Sequence, residues 1–249
     1  ATMFAVLLLA VLPLAYAASV NPEGRIVNGA NVNIANYPWQ GSYRTATGSH
    51  TCGCVFIGGN NVITAAHCGG SGSYSMEFGS SNRGSGSVFG INSVTLHPNY
   101  DQGAGFVPND VTVVKASSNI GGTNISPAAI PSSSNNPGGN GWITGWGRTC
   151  GSCSLPTALQ GVQIPIASDA YCSSAWGTSF QSSSMICVYS GVTGACNGDS
   201  GGPLTQGSVV YGVASWVASG CLSSMPSTYA RVGAFRSWIC NQTPGASGC

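Results

Sequence analysis

Apolar residues in this chain come in short runs broken by Gly, Ser, Asn and Pro. Val55-Phe56-Ile57 gives way to Gly58-Gly59-Asn60-Asn61, and Val62-Ile63-Thr64-Ala65 follows directly. Runs this short and this rich in β-branched residues predict many strands joined by turns, the pattern of an all-β barrel or sandwich. Two stretches break the pattern. Val232, Phe235, Trp238 and Ile239 fall at helical spacing and predict one short amphipathic helix over about 232–242. The segment from Ile120 to Gly141 carries Pro127, Pro131, Pro137 and the run Ser132-Ser133-Ser134-Asn135-Asn136, and predicts a connector between two halves.

The start of the chain follows neither pattern. An apolar run from Phe4 to Leu12 leads into Ala15-Tyr16-Ala17. It is shorter than the roughly 20 residues a membrane span requires, so residues 1–17 are expected to be a signal peptide and the protein secreted and extracellular. A polar stub, 18–25, then ends in Glu23-Gly24-Arg25 before Ile26-Val27-Asn28-Gly29. The 249 residues suit one large domain or two small ones. Only 5% of them are charged and the net charge is +1, so neither a nucleic-acid partner nor a membrane surface is expected. Eleven cysteines behind a secretory leader imply disulfides, and the odd count leaves one unpaired or intermolecular. Cys150-Gly151-Ser152-Cys153 has no second pair at zinc-ribbon spacing, which weakens a zinc or thioredoxin reading.

Candidate chemistry sits in three strings. Ser200 lies in Gly198-Asp199-Ser200-Gly201-Gly202-Pro203, His67 in Thr64-Ala65-Ala66-His67-Cys68, and Asp110 in Asn109-Asp110-Val111. A serine hydroxyl is a weak nucleophile that needs a general base and a third group to orient that base. His67 and Asp110 could fill those roles, in the chain order His, Asp, Ser. His50 and His97 read as core or surface histidines. Asp101 lies near glycines in a loop, whereas Asp110 opens a strand that would carry its carboxylate inward.

Together with Arg25-Ile26-Val27-Asn28-Gly29, Gly145-Trp146-Gly147, Ser215-Trp216 and Tyr229-Ala230-Arg231-Val232, these strings carry a resemblance. From Ile26 onward the chain resembles the trypsin/chymotrypsin/elastase serine endopeptidases over essentially its full length. The resemblance implies an all-β fold of two six-stranded antiparallel β-barrels with a short C-terminal helix. The peptidase domain would cover 26–249, with barrel one about 26–130 and barrel two about 131–249. It makes Ser200 the nucleophile of an acyl-enzyme mechanism, His67 the general acid/base and Asp110 the orienting carboxylate. The N–H groups of Gly198 and Ser200 would form the oxyanion hole. It also implies a zymogen: a trypsin-like protease cleaves after Arg25, and the freed Ile26 amine pairs with Asp199.

The same resemblance assigns Ser215, Trp216 and Val217 to the strand that pairs with substrate. Gly194 stands at the pocket base, where trypsin has a carboxylate, so cleavage after Lys or Arg is not expected. Val217 and Ser227 stand at wall positions that are glycine in chymotrypsin, and imply an elastase-like preference for small or medium apolar residues before the scissile bond. The alternatives are a chymotrypsin-like preference for Leu, Phe or Tyr, and a catalytically inactive binding homologue. Three disulfides are implied: Cys52 with Cys68, Cys172 with Cys187, and Cys196 with Cys221. Cys54, Cys150, Cys153, Cys240 and Cys249 match no family pair, and Cys54 is either a buried thiol or a partner of Cys150 or Cys153. Ser80 to Ser85 offers no carboxylates where calcium-binding members carry them, so neither a metal nor a cofactor is expected. Asn124-Ile125-Ser126 and Asn241-Gln242-Thr243 are N-glycosylation sequons. The partners implied are protein or peptide substrates, the activating protease and protein protease inhibitors, with a monomer as the family's usual state.

Overall fold

The computed structural model describes residues 26–69, 74–101, 103 and 107–249. The described residues form thirteen strands, of which six close into an antiparallel barrel. These are β2 (Gln40–Arg44), β3 (His50–Gly58), β4 (Asn61–Thr64), β5 (Ser75–Phe78), β6 (Ser87–Leu96) and β7 (Thr112–Ala116), in the order β2-β3-β4-β7-β6-β5. The remainder, β1 (Ala30–Asn31), β8 (Asn140–Gly145), β9 (Gln160–Pro165), β10 (Met185–Val188), β11 (Pro203–Gln206), β12 (Val209–Trp216) and β13 (Ser227–Arg231), form a seven-stranded antiparallel sheet.

The second sheet differs in detail from the six strands expected. Its order is β1-β9-β8-β11-β12-β13-β10. Its two flanks meet through a single bridge, Ile166 to Val188, backed by hydrogen bonds from Ala167 N to Cys187 O and from Tyr189 N to Pro165 O. Six strands therefore ring a core, and β1 adds a seventh by pairing Ala30 with Gly161. This short strand belongs to the second sheet although it precedes the first barrel in sequence.

Each half has its own apolar interior. The first barrel buries Tyr43, Val55, Ile57, Ile63, Met76 and Phe78, and the second sheet buries Ile26, Ile143, Ile164, Ile186 and Leu204. Each of these aliphatic, Met and Phe side chains contributes about 1.5–3 kcal/mol on burial. The proline-rich connector expected over 120–141 holds no strand up to 139, and its last two residues, Asn140 and Gly141, open β8.

Residues 232–242 do not form one helix. Val232–Phe235 is a 3-10 turn, and Phe235 leaves helical geometry (φ −100, ψ 5) before the α-helix Arg236–Gln242 begins. The predicted face is nonetheless the buried one: Val232, Phe235 and Ile239 join the core, and Trp238 meets the His97 ring edge-on at 4.9 Å. An earlier helix, α1 (Asp169–Trp176), went unread in the sequence because Cys172 is the one residue it buries and no periodicity results. Its signal is the cap, where the Ser168 hydroxyl accepts the Tyr171 N–H. The helix at the C-terminal end is α2 hereafter.

Candidate active site

His67 lies on a 3-10 turn, Ala66–Cys68, directly after β4, and the Cys52–Cys68 disulfide ties that turn back to β3. Asp110 precedes β7 and is 1% exposed. Its carboxylate is approached from three sides. Oδ1 accepts the His67 backbone N–H at 2.9 Å, while Oδ2 accepts from His67 Nδ1 at 2.7 Å and from the Ser215 hydroxyl at 2.5 Å. A carboxylate only accepts, so Nδ1 carries the imidazole proton and Nε2 presents a lone pair. Ser215 comes from β12, so both halves of the molecule hold the same carboxylate.

Ser200 sits in the turn that leads into β11. Its carbonyl accepts the Gly53 N–H of β3 at 2.7 Å, docking the turn onto the first barrel. Among the described residues, hydrogen bonds link His67 to Asp110 and Asp110 to Ser215, and none links His67 to the Ser200 hydroxyl. Gly198 has φ +98, and a Cβ there would lie 2.8 Å from Leu155 Cδ2 and 3.1 Å from Gly147 Cα. The turn takes this shape only with glycine at that position. The N–H groups of Gly198 and Ser200 donate to no protein acceptor among the described residues. Two uncommitted donors beside a hydroxyl suit an oxygen that gathers negative charge.

Asp199 points away from the surface, into the second half. Oδ1 accepts the Gly147 N–H at 2.9 Å and Oδ2 the Cys196 N–H at 3.0 Å. Burial pushes its carboxyl up to about 6, and the two N–H bonds pull part of the way back. Ile26 is buried in the same half beside Ile143, Ile164 and Tyr229, whose phenol is held high by its own burial and then by the Asp199 charge. No hydrogen bond joins Ile26 to Asp199 among the described residues. Arg25 lies outside the described residues, as do the apolar run and small-residue pattern at the start of the chain.

A cavity of about 240 Å³ opens beside Ser200, lined by Ala195, Cys196, Asn197, Ala214, Ser215, Trp216, Val217 and Thr228. No charged side chain among the described residues lines it. Gly194 and Ser227, read from the sequence as base and wall, are absent from this lining. The Ser227 hydroxyl accepts the Ala195 N–H at 3.0 Å, and a Cβ on Gly194 would lie 2.9 Å from that same oxygen. Ser227 thus lies against Gly194 and Ala195. Motif reading did not single out Ala195, Asn197, Ala214 and Thr228, since counting from Ser200 gives positions but not side-chain directions. A second cavity of about 320 Å³ shares Trp216 and Val217 and is bounded by Val107, Trp176 and Ser179.

The cysteines are resolved further than the sequence allowed. Cys52–Cys68, Cys172–Cys187 and Cys196–Cys221 pair, and so do Cys150–Cys153 and Cys240–Cys249. Cys54 is a buried free thiol, its pKa driven upward by burial. Asn124 and Asn241 are both exposed. Among the described residues no helix is long and apolar enough to cross a membrane.

Comparison with known proteins agrees with this architecture. The family model described as Trypsin matches residues 26–239. The chain is 39% identical to trypsin delta of Drosophila melanogaster over 87% of its own length and 88% of the relative. It is 32% identical to a chymotrypsin-like serine proteinase of Haliotis rufescens, over 90% of this chain and 93% of that one. Among solved structures, mouse neuropsin, a serine protease expressed in the limbic system of the brain, superposes with a TM-score of 0.80 at 25% identity, covering 86% of this chain and 98% of neuropsin. The chain therefore belongs to the trypsin family and is a serine endopeptidase.

Proposed function

We propose that this endopeptidase is secreted as a zymogen, is activated by a trypsin-like protease that cleaves after Arg25, and hydrolyses peptide bonds that follow small or medium apolar residues. The observation that carries the chemistry is the three-sided grip on Asp110, which leaves His67 Nε2 as the free base. Ser200 Oγ attacks the scissile carbonyl and its proton passes to Nε2. The carbonyl oxygen, now negative, takes the Gly198 and Ser200 N–H groups. Nε2 returns the proton to the leaving amine, and water repeats the sequence on the acyl-enzyme. Hydrogen bonds of this kind are commonly long in a free enzyme and tighten when substrate fills the site. Ser215 to Val217 would pair with the substrate backbone.

An uncharged cavity has nothing to offset the desolvation of a Lys or Arg head, so cationic residues are poor substrates despite the trypsins among the relatives. Val217 narrows the slot and favours Ala, Val or Leu. A second reading, preference for Leu, Phe or Tyr, draws support from the small Ser227 side chain, whose hydroxyl accepts the Ala195 N–H, and from Gly194, which adds no side chain to the depth of the slot. Peptide anilides differing only in the residue before the scissile bond separate the two. On the trypsin-treated chain, Ala, Val and Leu are expected to exceed Phe and Tyr in kcat/KM at least tenfold, with Lys and Arg lowest. Phe or Tyr above Ala would install the second reading. A serine-directed fluorophosphonate should label Ser200 alone; no label there ends both.

Protein protease inhibitors are the expected regulators, acting on a monomer outside the cell. Glycans at the exposed Asn124 and Asn241 fit that location.

A further inference from the structure

The loop from Gly147 to Leu155 wraps the turn that carries Gly198. Both of its ends touch that glycine: Gly147 Cα lies 3.1 Å and Leu155 Cδ2 2.8 Å from where a Gly198 Cβ would be. Between those ends the loop makes two further holds. The Arg148 N–H donates to the Asn197 carbonyl at 2.8 Å. That carbonyl belongs to the same rigid peptide plane as the Gly198 N–H, so fixing the one aims the other. Gly151 lies flat on the Gly220 backbone, where a Cβ would come within 2.7 Å of the Gly220 carbonyl. Gly220 adjoins Cys221, whose disulfide to Cys196 frames the cavity beside Ser200.

The segment between Arg148 and Gly151 belongs to no strand or helix. Three internal hydrogen bonds brace this stretch through Cys153, from Arg148 Nη1 to Gly151 O at 3.2 Å, from Cys153 N to Cys150 O at 3.2 Å and from Ser152 Oγ to Cys150 Sγ at 3.7 Å, together with the Cys150–Cys153 disulfide. Both cysteines are only half-buried, flanked by the exposed Gly151 and Ser152, whereas the Cys52–Cys68, Cys172–Cys187 and Cys196–Cys221 disulfides are buried at both ends. The motif that looked like an isolated redox or zinc signature is thus a staple on the loop that collars Gly198.

We infer that the Cys150–Cys153 disulfide is a positioning element for the oxyanion donor: it holds the 147–155 loop so that the Asn197–Gly198 peptide keeps its N–H aimed at the reacting carbonyl, and its reduction lowers turnover. This rests on the reading of Gly198 and Ser200 as the oxyanion site. A small dithiol carries out the reduction in two exchanges. Its thiolate attacks one cysteine sulfur and displaces the other as a thiolate. Its second thiol then closes on the mixed disulfide, leaving a cyclic disulfide and two protein thiols.

The test compares the trypsin-treated parent with the Cys150→Ser/Cys153→Ser and Cys240→Ser/Cys249→Ser double variants. Losing one oxyanion donor outright costs about 10²–10³ in kcat, so loosening its support is expected to cost about tenfold. The 150/153 variant should lose that factor in kcat with KM within about twofold, and a peptide aldehyde, whose adduct places an oxyanion on the same donors, should bind about tenfold more weakly. The 240/249 variant should match the parent. Unchanged kcat and aldehyde affinity in the 150/153 variant, with the parent labelled by fluorophosphonate, would overturn the inference while sparing the proposed function. No labelling of the parent would overturn the function reading instead. Should the 150/153 variant not fold, mild reduction of the parent by a dithiol, alkylation and peptide mapping decide the matter. Alkylation confined to Cys150 and Cys153 with full activity would refute the role, and a tenfold loss reversed on reoxidation would establish it.

Discussion

Asp199 is held by two backbone N–H groups, and neutral donors offset only part of the cost of burying its charge. Its carboxyl, raised to about 6 from 3.8, keeps its proton more tightly in the folded chain than in the unfolded one. That preference stabilises the uncleaved fold below about pH 4 and is lost as pH rises through 6. An ammonium at Ile26, produced by cleavage after Arg25, would reverse the sign. The difference in stability between the processed chain and an uncleaved Arg25→Gln variant should therefore widen by about 3 kcal/mol between pH 4 and pH 7. Calorimetric Tm measured on both across that range checks it. His50, lowered to about 4 by burial, destabilises both forms as pH falls below 6.5 and cancels in the comparison. The variant should also stay unlabelled by fluorophosphonate after trypsin treatment; labelling equal to the parent would exclude activation at Arg25. These residues were readable because the chemistry dictates their type: glycine where φ is +98, and a carboxylate beside it. The hydrogen bond that the Ser227 hydroxyl accepts from the Ala195 N–H was not readable, since a small hydroxyl can meet many partners equally well.

At the scale of elements, the loop between β5 and β6 is organised from within by Glu77. This buried carboxylate accepts the Gly84 N–H at 3.0 Å and the Gly86 N–H at 2.7 Å, and pairs with Arg44 at 3.1 Å. Removing the charge leaves the mostly buried Arg44 guanidinium without its carboxylate and with the Gly48 carbonyl, which its Nε reaches at 2.8 Å, and breaking such a pair costs about 3 kcal/mol. Glu77→Gln should lower Tm by several degrees, and millimolar calcium should not restore it; thermal unfolding monitored by circular dichroism gives the answer. Much of this level was legible. The barrel strands announced themselves as β-branched runs, and the face of α2 as a helical period. Other elements were silent for physical reasons. β1 has two residues and no period, and α1 buries a single side chain. The Cys150–Cys153 pair has a spacing equally compatible with metal or redox chemistry.

On the scale of the whole molecule, the candidate site exists only while the two halves are docked. His67 and Asp110 come from the first barrel and Ser200 and Ser215 from the second half. The bonds from Gly53 N to Ser200 O, from Thr144 Oγ1 to Gln40 Oε1 at 2.7 Å, and from Ser215 to Asp110 cross between them. Strand patterning could not reveal this docking, because each half satisfies its own alternation. The buried thiol of Cys54 belongs to the same scale. It sits on β3 in the closed barrel, where a Cβ on Gly41 would come within 2.6 Å of its sulfur, and it is inert there. Once the barrel opens, its pKa returns to about 8.5 and the thiolate can attack any of five disulfides. The parent, heated briefly at pH 8.5 and cooled, should recover far less activity than at pH 5, whereas Cys54→Ala should recover equally at both. Heat inactivation of this protein is then expected to run as a chemical clock rather than an equilibrium, at a rate set by the thiolate fraction of one residue that the proposed mechanism does not use.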